Sequence, residues 1–360
     1  MSFAETRLTV DLDALAANFA LVRQLAGGVA IAPVVKANGY GLGAVAVARR
    51  LRAEGADQFF VARVSEGEAL RAALGAGPAI FVLDGCPPGA AGRLAEAALT
   101  PVLNSKAQIA DWRADGPRSA PLALHMDTGM SRLGLRADAV EALSAPGGDL
   151  DGAVVTLVIS HLSCASWPDH PLNGRQQAAF SAVRGMFPHA QASLANSAGV
   201  FLGEAYHFDM VRPGVALYGG GPFGASDARL ATVVTLEAPI LQLREVAAGE
   251  SVGYGATFTA PSPMRIAIVA AGYADGVLRA QSPSGYGWLN GRRRALLGRV
   301  SMDLIAIDVS DASDARPGAM VELLGPHVAL DDVAGWSGTI SYEVLTRLST
   351  RAERRYQGAA

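Results

Sequence analysis

The 360-residue sequence predicts an α/β fold, a (β/α)8 barrel over residues 1–225 followed by a mainly-β C-terminal domain over 226–360. Two observations carry this. From about residue 30 to 215, about eight short apolar runs alternate with longer Ala/Leu/Arg stretches, and after about residue 225 the strand-like runs lose their intervening helices. Continuous apolar strands separated by helices indicate parallel strands buried on both faces. Eight such units closing on themselves make a barrel. A doubly wound open sheet is the alternative, but no GxGxxG follows the first run and the count favours the barrel.

In order, the runs are IAPVVK, QFFVAR, AIFVL, LTPVLN, LALHMDT, VVTLVISH, ASLANS and FDMVRPG. Segments between them, such as AVAVARRLRAEG (44–55) and VSEGEALRAALGAG (64–77), have helical composition and apolar spacing. The runs end on polar groups: Lys36, Arg63, Asn104, His125 with Asp127 and Arg132 beyond it, His161, Asn196 with Ser197, and Arg212. In a barrel, strand C-termini converge on the face where active sites form. So many basic and amide groups at one mouth are costly unless an anion sits among them. Beyond residue 225, RLATVVTLEAPILQL, RIAIVAAGY, LIAIDVS and AMVELLG read as strands. WLNGRRR carries the Asn-Gly signature of a hairpin, and Arg292, Arg293 and Arg294 are expected at its solvated end. LDDVAGWSGTISYEVLTRL is expected to be helical in parts, with Asp331 or Asp332 as the start signal.

Composition narrows the function. Apolar residues make up 50% of the chain, which excludes global disorder. A formal charge of −3 argues against a nucleic-acid binder. Cys86 and Cys164 are too few for a disulfide framework or a cysteine zinc site, and no metal site is expected. The N-terminal MSFAETRLTVDLDAL has no continuous apolar segment, and no run approaches the roughly 20 apolar residues of a membrane span. These features predict a soluble cytoplasmic protein with neither a nucleic-acid nor a membrane partner.

The sharpest local question is Lys36 in IAPVVKANGYGLGA, residues 31–44. Two readings of these letters stay open: a strand-end lysine snorkelling to water before an ordinary turn, or an amine nucleophile whose pKa desolvation lowers. Under the second, the small residues let backbone approach a phosphate. An amine at one strand end with phosphate-friendly loops on the same face suggests pyridoxal 5'-phosphate, whose aldehyde reacts with lysine.

VVKANGYGLGA (34–44), HMDTGMSRLGL (125–135), ISHLSCA (159–165), LANSAG (194–199), MVRPGVALYG (210–219), VGYGATF (252–258), GYADG (272–276) and GRVSMD (298–303) span nearly the whole chain in order. Together they resemble the pyridoxal-phosphate-dependent alanine racemases. The resemblance implies an isomerase that interconverts L- and D-alanine and supplies D-alanine for peptidoglycan. It implies that Lys36 carries the cofactor and is one of two acid/base groups, with Tyr254 the other. Two groups are needed because the α-proton leaves from one face of a planar carbanion and returns to the other. A free tyrosine has a pKa of about 10, so Tyr254 needs help near neutrality, and His161 and Arg212 match the residues that give it.

By the same resemblance Arg212 bonds the cofactor's ring nitrogen, and Tyr40, Ser197, Gly214, Val215 and Tyr342 hold the phosphate. Arg132 and the Met302 N–H bind the substrate carboxylate. Tyr273 and Asp303 line the channel by which substrate arrives. The resemblance also implies a head-to-tail homodimer with shared active sites. The chain departs from the family at His125, where many members have a carbamylated lysine, at Leu42 in Tyr40-Gly41-Leu42-Gly43, where many read YGHG, and at Ser301, where cysteine is common. Racemisation of serine or another small amino acid, decarboxylation of a basic amino acid, and a non-catalytic cofactor-binding barrel are the competing readings.

Overall fold

The computed structural model describes residues 5–282 and 284–358. The first four residues of the N-terminal segment discussed above lie outside them. The described residues divide into two compact units, one of residues 16–217 and one of residues 5–15 with 218–358.

Among the described residues the strands run β1 (Arg7–Asp11), β2 (Ala30–Ile31), β3 (Gln58–Val61), β4 (Ala79–Val82), β5 (Thr100–Leu103), β6 (Leu122–His125), β7 (Val155–Ile159), β8 (Gln191–Ser193) and β9 (Met210–Val211). β2 to β9 match the eight apolar runs of the sequence, and helices fill most of the intervals between them. β3 to β8 form one sheet in sequence order, and each adjacent pair is parallel. β2 pairs in parallel with β9. A Val34–Phe60 bridge carries the β2 segment onto β3. Asp209 N–H to Ala192 O (3.0 Å) and Arg212 N–H to Ala195 O (2.9 Å) link the β9 segment to that of β8. The eight strands therefore close into a ring, as the alternation predicts. Its strands are buried on both faces: Phe59, Phe60, Val61, Ile80 and Val82 have no exposed surface, and Phe60 stacks on Phe81 with ring centroids 4.8 Å apart.

The other unit is mainly β. Its strands are β1, β10 (Val234–Val246), β11 (Ser251–Val252), β12 (Phe258–Thr259), β13 (Met264–Val269), β14 (Tyr286–Leu289), β15 (Arg292–Leu297), β16 (Ile305–Asp308), β17 (Met320–Leu324) and β18 (Glu353–Gln357). The large sheet runs β13-β16-β15-β14-β17-β10-β1-β18, and β13 also pairs with β10. The long β10 can serve three partners because its first half faces β1 and β17 while its second half faces β13.

Some details differ from the sequence expectations. β1 lies antiparallel to β10 although it precedes the barrel in the chain, because Leu8 and Val10 need an apolar face to bury against. The Asn290-Gly291 turn has positive φ at both residues (51° and 79°), as a type I′ hairpin requires. Arg294 is buried rather than solvated: strand alternation turns it inward, where it pairs with Asp311. Helices Leu330–Trp336 and Ser341–Arg347 form as expected. Ala329 flanks the first of them, and Asp331 sits inside its first turn, buried, accepting from Gly221 N–H (2.9 Å) and Ser341 Oγ (2.5 Å). Among the described residues, no helix is long and apolar enough to cross a membrane. Cys86 and Cys164 are both free thiols.

Candidate active site

In the barrel unit, Lys36 follows the β2 segment at its C-terminal end. Val35 N–H donates to Phe60 O (2.9 Å) and fixes the backbone immediately before it. After it the chain winds left-handed: Ala37, Asn38, Gly39, Tyr40 and Gly41 all have φ between 52° and 83°. For non-glycine residues this costs roughly 1–2 kcal/mol each, so other bonds must hold it. Ala37 N–H donates to Glu66 Oε1 (2.7 Å), while Glu66 Oε2 accepts from Ala62 and Arg63 N–H (2.8 and 3.1 Å). Asn38 Oδ1 accepts from Ala44 N–H at 3.0 Å. Gly39 is required here, because a Cβ would come within 3.0 Å of Ala44 N. The result aims the turn so that Tyr40 is buried back in the barrel.

The Tyr40 hydroxyl meets the second element of the site at Gly214, where any Cβ would collide with it. Ser197 Oγ accepts from Gly214 N–H (2.8 Å) and Ala216 N–H (3.2 Å). Asn196 holds the start of the Ser197–Leu202 helix by accepting from Gly199 N–H at 2.9 Å. The Tyr40 and Ser197 hydroxyls thus converge on a glycine cut-away at Gly214, which Val215 follows. These donors suit a phosphate.

Arg212 is buried and makes charge-assisted bonds to neutral acceptors: Ser193 O (2.7 Å), Ser193 Oγ (2.5 Å) and Ser160 O (2.5 Å). Burial lowers its guanidinium pKa to about 9, which leaves it charged near neutrality. Its charge disfavours the protonated forms of the neighbouring Lys36, His125 and His161. Burial first, and then Arg132 and Arg212, lower the Lys36 pKa against opposing pulls from Glu66 and Asp84. Burial, Arg212, Arg132 and Lys36 hold His161 well below the ordinary imidazole range. The amine is therefore more easily deprotonated than a free lysine, and His161 is neutral.

His125 ends β6, and burial followed by Arg212 and Arg132 lowers its pKa to about 4. Its tautomer follows from hydrogen bonds. Asn104 Nδ2 donates to Leu83 O (2.9 Å) and Val102 O (2.8 Å), so Asn104 Oδ1 is the acceptor for His125 Nδ1 at 2.7 Å. Nδ1 carries the proton, and Nε2 is left as an acceptor. Arg132 itself is exposed, on a loop folded by Asp127. Burial alone would raise the Asp127 pKa, but N–H donors from Gly129, Ser131 and Met130 at 2.9–3.1 Å outweigh it and hold the carboxyl low.

The remaining predicted residues lie in the β-rich unit. Tyr254, Tyr273, Met302 and Asp303 line one cavity of about 410 Å³, with Arg279 and Arg299 beside them. Tyr254 sits on a short turn with positive φ at Gly253, Gly255 and Ala256. Among the described residues, no acceptor takes the Met302 N–H. Tyr342 starts the Ser341–Arg347 helix, and burial pushes its phenol up to about 12. The predicted residues thus form two sets, one in each unit.

Sequence reasoning missed two supports. Glu66 is the third residue of the Val64–Leu74 helix, and an acid at that place is a legible helix-start signal. Gln176 gave no signal. Buried on the Pro171–Met186 helix, it donates to His161 O (2.9 Å) and accepts from Ser163 N–H (2.9 Å), fixing the loop after β7.

A barrel whose mouth combines a desolvated amine, neutral imidazoles, a carboxylate-free arginine and a phosphate cradle defines a pyridoxal-phosphate-dependent (β/α)8 enzyme. Residues 10–222 match the family model for the alanine racemase N-terminal domain, and residues 233–356 match the model for its C-terminal domain. The chain belongs to the alanine racemase family. It is 48% identical to a catabolic alanine racemase of Mesorhizobium japonicum over 98% of this chain and 93% of that one. It is also 48% identical to an alanine racemase of Rhodospirillum rubrum, over 99% and 96% of the two chains. The crystal structure of alanine racemase from Bartonella henselae with covalently bound pyridoxal phosphate superposes with a TM-score of 0.93 at 37% identity, covering 99% of this chain and all of that one.

Proposed function

We propose that the protein is an alanine racemase using two acid/base groups, Lys36 and Tyr254. The observation that carries this is the half-buried, pKa-lowered Lys36 in the same barrel mouth as the Tyr40–Ser197–Gly214 cradle, in a chain 48% identical to proteins named alanine racemase.

The residues present fit pyridoxal phosphate. Ser197, Tyr40 and the N–H groups of Gly214 and Val215 would hold its phosphate, with Tyr342 from the β-rich unit, and Arg212 would bond the ring nitrogen. When bound, the cofactor supplies an electron-withdrawing ring that acidifies the α-carbon of an attached amino acid. Arg212 keeps its own proton and so does not protonate the ring nitrogen, which weakens that withdrawal and disfavours side reactions. Lys36 Nζ, deprotonated at modest cost, takes or returns the α-proton on one face. Tyr254 Oη does so on the other, where neutral His161 and cationic Arg212 favour its phenolate. Arg132 and the Met302 N–H bind the substrate carboxylate, and Tyr273 and Asp303 line its approach. In place of the carbamylated lysine of many family members, a bound anion or the His125 imidazole, whose Nε2 is free to accept, would position Arg132.

We further read the enzyme as a homodimer with shared sites, in which Tyr254 of the partner subunit serves Lys36. The support is that Tyr254, Tyr273 and Met302 stand exposed around one cavity, beside charged Arg279, Arg299 and Asp303, a mixed set of groups that a second chain would cover. The free cysteines and the charge of −3 suit a cytoplasmic enzyme without a nucleic-acid or membrane partner. Its product D-alanine would serve cell-wall synthesis.

The test is to incubate the cofactor-loaded protein with L-alanine in heavy water, then separate enantiomers by chiral chromatography with mass detection. Deuterated D-alanine is expected. If D-alanine is absent while cofactor stays bound through Lys36, the reading of substrate or reaction is wrong.

A further inference from the structure

The β-rich unit holds an ion-pair knot of Arg351, Asp275 and Asp303, of which only Asp303 has a role above. Arg351, near the C-terminal end, donates through Nε and Nη2 to the two oxygens of Asp275 at 2.8 and 2.7 Å. Its third nitrogen, Nη1, donates to Asp303 Oδ1 at 2.6 Å. The planar guanidinium fork makes the first pair bidentate and leaves one edge for a second carboxylate, a geometry a lysine cannot copy.

The two carboxylates are unlike. The Asp275 side chain is 3% exposed, whereas that of Asp303 is 55% exposed. Asp275 also accepts from Gly272 N–H at 2.9 Å, closing the GYADG turn. That turn docks on the Ser301–Asp303 loop: Tyr273 N–H donates to Ser301 O and Ala274 N–H to Met302 O, both at 3.0 Å. No side chain fits at Gly272, because a Cβ would strike the Ser301 and Met302 carbonyls. On the other side, Gly276 (φ 107°) leaves 3.0 Å between a notional Cβ and Leu348 Cα, so the C-terminal segment packs against the same turn. One guanidinium therefore ties three pieces of chain at the point from which Tyr273, Met302 and Asp303 reach their shared cavity.

We propose that Arg351 is a positioning residue for substrate: by bridging buried Asp275 and exposed Asp303, it holds the 301–303 loop so that the Met302 N–H stays aimed at the substrate carboxylate. This rests on the proposed role of Met302. Without the bridge the loop keeps its fold but loses its aim, so ground-state and transition-state binding of the carboxylate weaken together.

The test compares the cofactor-loaded wild type with Arg351→Ala, Arg351→Lys and Asp303→Asn. Arg351→Ala is expected to raise KM for alanine roughly ten-fold with kcat within about three-fold, the signature of lost uniform binding. Asp303→Asn, which keeps the Asp275 fork, should give a smaller rise in KM, and Arg351→Lys an intermediate one. Acetate, a bare carboxylate, should bind Arg351→Ala more weakly than wild type when followed by the spectrum of the bound cofactor, a readout that needs no turnover. Hydrogen exchange should quicken at Tyr273 and Ala274. The proposal is overturned if KM and acetate binding are unchanged in all three variants, or if only the melting temperature falls. Absence of racemisation by the wild type itself would instead refute the activity, and the acetate and exchange data would still judge Arg351.

Discussion

In the barrel unit His125 and Arg212 are buried, Lys36 and His161 are half-buried, and burial displaces the pKa values of all four. In the β-rich unit Tyr254, Met302 and Tyr273 stand 72%, 54% and 43% exposed around an open cavity. The contrast shows two ways of preparing a functional group. The barrel shields its groups from water and gives Arg212 and His125 neutral hydrogen-bond partners, so their chemistry is altered before any ligand arrives. The β-rich unit fixes its backbone, through glycine-permitted loop contacts and the Arg351 knot, and leaves its side chains for something else to cover. The shared-site dimer proposed above would supply such a cover.

The largest effect that could break this comparison is at Lys36. Lys36→Ala should cut racemisation by roughly 10³-fold or more and abolish the absorbance of covalently bound cofactor; retained turnover would end the assignment. Tyr254→Phe should lower turnover by about 10²- to 10⁴-fold while the cofactor stays bound, because the proposal gives the Tyr254 hydroxyl no part in holding the cofactor. A variant that loses both would mean that Tyr254 also helps to hold the cofactor.

The burial of His125 makes a prediction about pH. Its folded pKa of about 4 lies below the ordinary value of 6.5, so the unfolded chain binds the extra proton first. Stability is therefore full above pH 6.5 and is lost as pH falls from there towards 4, by about 3 kcal/mol from this group. His125→Gln, compared with wild type by urea denaturation across that range, should show a shallower loss; parallel curves would mean that the imidazole titrates freely. Gly214→Ala should cost about 1–3 kcal/mol, seen as a lower melting temperature and weaker cofactor retention, because the new methyl strikes the Tyr40 hydroxyl. The smallest effect is expected at the solvated end of the β-rich unit, where Arg292→Ala should change stability by no more than about 0.5 kcal/mol, since its pair with Asp311 is exposed on both sides.

Much of this was legible in the residues. The eight barrel strands match the eight apolar runs, and the Asn290-Gly291 hairpin lies where its dipeptide predicts. Lys36 and Arg212 could be picked out because charge at the end of an apolar run is a local signal. Arg294 could not, since a run of three arginines does not say which one alternation turns inward. Nor could Gln176, a polar residue in an unremarkable helix whose partners His161 and Ser163 lie 13 to 15 residues away.

The sequence by itself determined the order of strands and helices, the hairpin and the family, because these depend on periodicity and on short motifs read within a few residues. Only the tertiary structure decided that β1 joins the sheet of β10, that Asn104 sets the tautomer of His125, and that Arg351 bridges Asp275 and Asp303. Those pairings span 21 to more than 200 positions. At such separations the partner is selected by which surfaces meet when the core closes, and no local pattern encodes that meeting.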